Sequence, residues 1–503
     1  MDYLLGIDVG TTNTKAVLYD LEGQMRAVAS APTPVTEEGA GRATHDPEAL
    51  YETTVAVIRR AVAQVEDSSL VRGLAISSMA ESGVPLDAQG RVLYPVIVWH
   101  DTRTIPYEAW WQERISDERL FAITGAQPGH IFSLNKILWL RDHEPEAYRR
   151  LSRWLSVSDY LAYRLAGVPA MSYPQACRTL AFDLHTADWS PDLLDIAGVP
   201  AGLFPPALPS GQALGPLRPE AAAACGLSPR TLVSVGGHDH ICASVASGVI
   251  APGAMLVSSG TVEAVLAVLD QPRTGPEVHA LGISCGMHAM PGRYYLIGGI
   301  LGVGPLLNWV VQVLLQQPLN DEGYRALTEA AQASPRGAQG LYLLPFFSGA
   351  GAPRRAPRAT GAYLGLRLHH TREDMVRAVL EGLCYELRHM LESFYPLMPA
   401  RETPLRVVGG GARNALWLQM RADVTGRTVE TPQGAERAAL GAALLAGLGA
   451  GLYDSLEAAA MSAYRAEQTY RPDPEAHRDY SARYEGVYRG LYPAGQIVLA
   501  KEG

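Results

Sequence analysis

The stretch Leu4-Leu5-Gly6-Ile7-Asp8-Val9-Gly10-Thr11-Thr12-Asn13-Thr14-Lys15-Ala16-Val17-Leu18-Tyr19-Asp20 decides how the rest of the chain is read. Apolar runs on either side of a Gly/Thr/Asn cluster predict strand, tight turn, strand. Such a turn collects backbone N–H groups and hydroxyls in one place, which suits phosphate oxygens and makes Gly10, Thr11, Thr12 and Asn13 candidate nucleotide contacts. Asp8 stands just before the turn. A carboxylate there would repel phosphate unless a cation lay between them, so Asp8 points to a hydrated Mg²⁺ beside the nucleotide. The competing reading is a hairpin whose Thr and Asn side chains satisfy only their own turn.

A second copy favours the first reading. Met255-Leu256-Val257-Ser258-Ser259-Gly260-Thr261-Val262-Glu263-Ala264-Val265-Leu266 repeats the plan, with Gly260 and Thr261 where Gly10 and Thr11 fall. Two phosphate-type hairpins predict two related domains facing one nucleotide across a cleft whose closure excludes water. The 503 residues exceed the roughly 250–300 that one core supports. Ala251-Pro252-Gly253 is the expected junction, dividing the chain into 1–250 and 251–503.

Acidic residues outnumber basic ones, 51 to 42, and no dense Lys/Arg run occurs. That balance argues against nucleic acid or an anionic membrane as partner. The start lacks a basic signal-peptide region, and no apolar run reaches the ~20 residues that span a bilayer, so the expectation is a cytoplasmic protein. The five cysteines are scattered without a C-x-x-C pair, which indicates neither a disulfide framework nor a zinc site.

Taken in order, Asp46-Pro47 reads as N-cap and first position of a helix through Val62, and Val71 to Ile76 as a buried strand. That strand delivers Glu81, and a second from Val92 to Trp99 delivers His100-Asp101-Thr102-Arg103. Glu81, Trp99, Asp101 and Arg103 would suit a polyhydroxylated substrate: carboxylates accept hydroxyl protons, Arg donates and Trp offers a flat face. An ordinary surface loop with an Asp–Arg pair is the alternative. A helical period dominates from Asp117 to Leu165, and 166–230 is irregular and Pro-rich.

The buried strand Thr231 to Val235 ends in Gly236-Gly237 before a small-residue helix, placing Asp239 at the junction. An acid there can orient a substrate hydroxyl and accept its proton, or it can serve as an N-cap. His238 and His240 flank it without an evident third metal ligand. Asn308, on an apolar helix after a Gly-rich run, is a candidate nucleotide contact. Gly409-Gly410-Gly411-Ala412-Arg413-Asn414 follows another strand, and its bare backbone leaves room for a flat base or marks a tight turn. The Ala/Gly-rich run Glu436 to Leu448 reads as a closely packed helix behind that site.

These residues together resemble the FGGY carbohydrate kinases of the actin/Hsp70/hexokinase ATPase superfamily, over nearly the whole chain. Ser133-Leu134-Asn135-Lys136-Ile137-Leu138-Trp139-Leu140 matches the first family signature, apart from Ile131 at its opening position. Gly361 to Leu366 with Ala378-Val379-Leu380-Glu381 matches the second. The resemblance implies an α/β fold of two ribonuclease-H-like domains with an interdomain active-site cleft. The first would bind sugar and supply the catalytic base, and the second would bind nucleotide.

It implies Asp239 as base and, with Asp8, as metal ligand, and Thr11, Thr12, Lys15, Gly260 and Thr261 at phosphate positions. Gly410, Gly411 and Asn414 fall on the adenosine side, and His238 joins Glu81, Trp99, Asp101 and Arg103 as a substrate contact. The implied activity is ATP- and Mg²⁺-dependent phosphorylation of a hydroxyl on a small sugar, ketose, polyol or sugar acid. A sugar- and nucleotide-binding regulator without turnover is the alternative, and a homodimer is a candidate assembly. Gly349-Ala350-Gly351-Ala352-Pro353 lacks the Gly-Glu-Arg that many members carry. Gly237-His238-Asp239 with Ser258 to Thr261 resembles the fuculose and rhamnulose kinases, whereas Trp99 to Arg103 resembles the xylulose and gluconate kinases.

Overall fold

The computed structural model describes residues 2–399 and 402–492. The opening hairpin pairs Tyr3–Val9 antiparallel with Asn13–Tyr19, and Met25–Pro32 adds a third antiparallel strand. Val71–Ser78 then runs parallel to Tyr3–Val9 on its other side, and Leu232–Ser234 parallel to that. The second half repeats this order. Met255–Ser259 pairs antiparallel with Glu263–Leu269, which pairs antiparallel with Tyr294–Ile300. Leu405–Gly409 and then Val429–Pro432 follow in parallel on the other side. Each sheet counts seven strands among the described residues.

The period of two along a strand explains how one hairpin serves two cores. Leu5, Ile7 and Val9 join Leu50, Val57 and Ile58 of the helix Pro47–Val62 in one apolar cluster. Leu4, Val17 and Tyr19 on the opposite face join residues of the helices Asp239–Ala246 and Arg437–Gly449. Asp8 belongs to that second face. Its neighbours there are glycine at position 6 and leucine at position 4, so the strand presents its acid beside the helices between the two sheets.

The helix Arg437–Gly449 corrects an expectation. It packs across the first sheet, not behind Gly409–Gly411. A Cβ on Gly6 would lie 1.8 Å from the Ala439 carbonyl oxygen, and one on Gly73 would lie 2.9 Å from that of Ala446. Only bare backbone permits this approach. On its other flank the helix meets Asp239–Ala246, where a Cβ on Gly441 would lie 2.0 Å from the Cys242 carbonyl oxygen. The Ala/Gly composition therefore records a helix pressed against a sheet and a second helix at once.

Other segments agree in part. Asp46 caps the helix from Pro47, accepting from the Glu48 N–H at 2.9 Å. The 117–165 segment is not one helical run. Helices Asp117–Thr124, Ser133–His143, Pro145–Arg150 and Val157–Ala166 are separated by loops and by the strand Arg153–Ser156. Gly125 in the left-handed conformation ends the first of them. Val92 to Trp99 forms no strand of the main sheet; only Val96–Ile97 is extended, in a small three-stranded sheet with Thr36–Gly39 and Arg42–His45. The 166–230 segment carries short helices at Tyr173–Ala176, Pro191–Ala197 and Pro219–Cys225.

Candidate active site

The turn of the first hairpin is closed by backbone and by a neighbouring strand, not by its own side chains. Gly10 N–H donates to the Asn13 carbonyl at 3.1 Å, and the Thr33 hydroxyl donates to the Gly10 carbonyl at 2.7 Å. Thr12 and Asn13 are exposed and Thr11 is half-buried. Their polar groups stay outside the turn's own bonding, which removes the reason for the competing reading. Lys15, opposite Asp8 in the ladder, donates to both carboxylate oxygens of Glu436 at 2.9 and 2.8 Å. Glu436 immediately precedes the helix Arg437–Gly449, so this ion pair ties the first hairpin to the second half of the chain.

Asp8 accepts from the Ser77 hydroxyl at 3.0 Å. Burial, and after it the negative charge of Asp239, pushes the Asp8 carboxyl up to about 7. Asp239 behaves oppositely. Burial alone would raise it, but the His240 and His238 imidazoles outweigh that. With a hydrogen bond from the His240 N–H at 2.6 Å, they hold it well below the usual carboxylate range. His238 Nε2 lies 3.1 Å from Asp239 Oδ1. Asp239 is the first residue of the helix Asp239–Ala246, and His238 occupies the cap position without a side-chain cap bond. The N-cap reading of Asp239 is thereby corrected: its carboxylate folds onto the next N–H, its side chain 32% exposed and close enough to Asp8 to raise that carboxyl.

Glu81 sits at φ 63° three residues past the strand Val71–Ser78. A left-handed conformation in a non-glycine residue costs energy and must be held by its surroundings. Here the Glu81 carbonyl accepts from the Ser133 hydroxyl at 3.0 Å and its carboxylate from Arg178 Nε at 2.5 Å. Ser133 begins the first signature helix. From the same helix Lys136, fully buried, donates to the Ile131 carbonyl, and burial pushes its ammonium down to about 7. Asn135 receives the Trp111 indole N–H at 2.7 Å and donates to the Gly129 carbonyl at 2.9 Å. The first signature therefore acts as a brace for Glu81 and the loop before the helix. Arg178 escaped sequence reasoning because no local pattern ties it to a carboxylate 97 positions away.

Asp101 and Arg103 bond to each other. Asp101 is fully buried. Its oxygens accept from Arg103 N, Nε and Nη2 and from the Ala43 N–H, all at 2.8 to 2.9 Å. Arg103 also reaches Glu38 at 2.9 Å and lies over the Trp139 ring at 5.0 Å. Both groups are consumed in fastening the small sheet and the turn after it. Trp99 is half-buried against the first apolar core, edge-on to His100.

A cavity of about 580 Å³ opens beside the second hairpin, lined by Ser259, Gly260, Asn308, Tyr324, Gly410, Gly411, Asn414 and Trp417 among others. The three glycines have distinct reasons. Gly409 takes φ 86° and passes so close that a Cβ would lie 2.4 Å from the Ser259 carbonyl oxygen, and one on Gly411 would lie 2.5 Å from Ser259 Oγ. A Cβ on Gly410 would meet nothing nearer than 3.9 Å, so its bare face belongs to the cavity. Asn414 caps the helix Ala415–Thr425 through Oδ1 to the Trp417 N–H, while its Nδ2 donates to Thr328. Asn308 accepts from the Tyr324 hydroxyl on the cavity wall.

Comparison with known proteins places this geometry. Residues 3–246 match the N-terminal domain, and residues 255–450 the C-terminal domain, of the FGGY family of carbohydrate kinases. A xylulose kinase of Bacillus subtilis (strain 168) is 30% identical over 498 residues, 98% of this chain and 97% of the relative. A gluconokinase of the same organism is 27% identical over 463 residues, 91% and 89% of the two chains. The crystal structure of xylulose kinase from Rhodospirillum rubrum superposes with a TM-score of 0.89 at 28% identity, covering 98% of this chain and 99% of that one. Sugar kinases of this family use ATP as phosphate donor, and the chain, matched at both domains, belongs to the FGGY family of carbohydrate kinases.

Proposed function

We propose that the protein transfers the γ-phosphoryl group of ATP to a hydroxyl of a neutral open-chain ketose or polyol, and that Asp239 receives the hydroxyl proton. The observation that carries the base is the ionised, part-exposed Asp239 carboxylate held between two imidazoles. Phosphoryl transfer proceeds through a loose transition state, so the main demand on such an acid is to orient the attacking oxygen and take its proton as the O–P bond forms and ADP leaves. On this reading residues 1–250 hold the sugar and 251–503 the nucleotide. Glu81, Trp99 and His238 contact the sugar. Gly10, Thr11, Thr12, Asn13, Lys15, Gly260 and Thr261 meet the phosphates, and Asn308, Gly410, Gly411 and Asn414 border the base.

The choice of a neutral substrate over a sugar acid rests on where the nearby cations go. Arg178 is committed to Glu81 and Lys136 to the Ile131 carbonyl. A substrate carboxylate would meet Glu81, Asp8 and Asp239 with neither of these cations free to receive it. Asp8 and Asp239 offer the carboxylate oxygens that Mg²⁺ prefers, and its charge would offset the burial and, after it, the Asp239 repulsion that push the Asp8 carboxyl up. Bound there, it would neutralise phosphate charge.

The test couples ADP release to a panel that includes xylulose and gluconate, for wild type and Asp239→Asn. Turnover of the variant should fall by about 10²–10⁴-fold with little change in melting, since Asn retains an acceptor for the His240 N–H. Near-wild-type turnover would end the assignment of the base. A higher kcat/KM for gluconate than for any neutral ketose would end that of the substrate class.

A further inference from the structure

His238 and His240 flank Asp239 in sequence, and the fold brings one ligand atom from each of the three together. One ligand atom from each of His238, Asp239 and His240 lies within 4.8 Å of the other two, in a run of three residues at the strand-to-helix turn. The 3.1 Å between His238 Nε2 and Asp239 Oδ1 is close to the ligand–ligand edge, roughly 3 Å, that bonds of about 2.0–2.1 Å to a shared ion produce. The two imidazole rings stand edge to face with centroids 5.3 Å apart. His238 is 7% exposed; its Nε2 faces Asp239 Oδ1, and its Nδ1 is buried without a partner. Asp239 and His240 are half-exposed.

Two imidazoles and one carboxylate are the donors of Zn²⁺ and its transition-metal neighbours, not of Mg²⁺, which prefers an all-oxygen octahedron and keeps its waters. We infer that His238, Asp239 and His240 form a three-ligand site for one transition-metal ion such as Zn²⁺, with its remaining positions open to the cleft. An ion held there takes the lone pairs of Asp239 that would otherwise receive the hydroxyl proton, so its binding switches transfer off. This last consequence rests on the reading of Asp239 as base, whereas the binding itself does not.

Calorimetric titration of Zn²⁺ into the full chain, free of Mg²⁺, ATP and sugar, tests the site without turnover, and the visible spectrum of the Co²⁺-loaded protein reports its donors. One equivalent should bind tightly with a tetrahedral Co²⁺ band, and His240→Gln should weaken binding by roughly tenfold or more. His238→Gln should do the same, with its melting checked because His238 is buried. Affinity unchanged in His240→Gln overturns the site. So does binding that instead disappears in His369→Gln, at the surface His369–His370 pair. Zn²⁺ that binds through these ligands without inhibiting turnover supports the site and removes Asp239 as base. A protein that binds no Zn²⁺ yet loses turnover in Asp239→Asn overturns the site and leaves the base in place.

Discussion

The two hairpins share a ladder plan but spend their acids in opposite ways. In the first, Val9 pairs with Thr14 and the turn between them holds four residues. In the second, Ser259 pairs with Glu263 across three. The acid of the first, Asp8, points toward the cleft with one hydroxyl as partner and a proton held to about pH 7. The acid of the second, Glu263, is sealed inside, bonded to Ser259 Oγ and to the fully buried Arg421, which lies 3.9 Å from the centre of the Trp417 ring. Asp8 precedes its turn and Glu263 follows its own; the first keeps a single hydroxyl partner, whereas the second holds its turn against the cavity wall. What surrounds each carboxylate sets its role.

Breaking the sealed pair should give the largest effect. Glu263→Ala leaves Arg421 buried and uncompensated, which is expected to cost about 3–5 kcal/mol of stability, read by chemical denaturation. If the variant unfolds at the wild-type midpoint, the two hairpins do not differ as described. Asp8→Asn should do the reverse, lowering turnover by about 10²–10³-fold while raising stability at neutral pH in metal-free protein, since the removed charge is one that burial and Asp239 disfavour. A comparable drop in melting temperature would make Asp8 a structural acid like Glu263.

The pH dependence sharpens the same contrast. Asp8 is raised from 3.8 to about 7 by folding. Its contribution to stability is thus full below pH 3.8 and is lost as pH rises through about 7, with a slope of at most ~1.4 kcal/mol per pH unit. In metal-free protein Asp8→Asn should flatten that window. Asp239 is lowered, so its share is present above 3.8 and lost only as pH falls below it. The smallest effect belongs to Lys15–Glu436, whose side chains are 29% and 20% exposed. Glu436→Gln should cost only about 0.5–1 kcal/mol of stability, and the salt dependence of KM for ATP would show whether the freed Lys15 then meets phosphate more strongly.

Much of the fold was legible because its signals are local. Alternating apolar residues around Gly10-Thr11-Thr12 and Gly260-Thr261 specify hairpins, Asp46-Pro47 specifies a helix start, and Gly426 ends the helix from Ala415 as its composition predicts. Periodicity over 117–165 was less informative, since helices joined by short loops carry nearly the same pattern as one long helix. The glycines of 409–411 read as one feature but differ: Gly409 and Gly411 allow close packing against Ser259, while Gly410 and Gly411 line the cavity.

By itself the sequence determined the duplicated hairpins, the family and the candidate residues for phosphate and sugar. All of these depend on residue order within windows of a dozen positions. Only the tertiary structure decided that Asp101 and Arg103 neutralise each other in a buried pair, that Arg178 reaches Glu81, and that the helix Arg437–Gly449 crosses to the first sheet over Gly6 and Gly73. The reason is physical. A charge is available to a ligand only if no nearer partner satisfies it, and nearness across 97 or 421 positions is set by packing that no local pattern records.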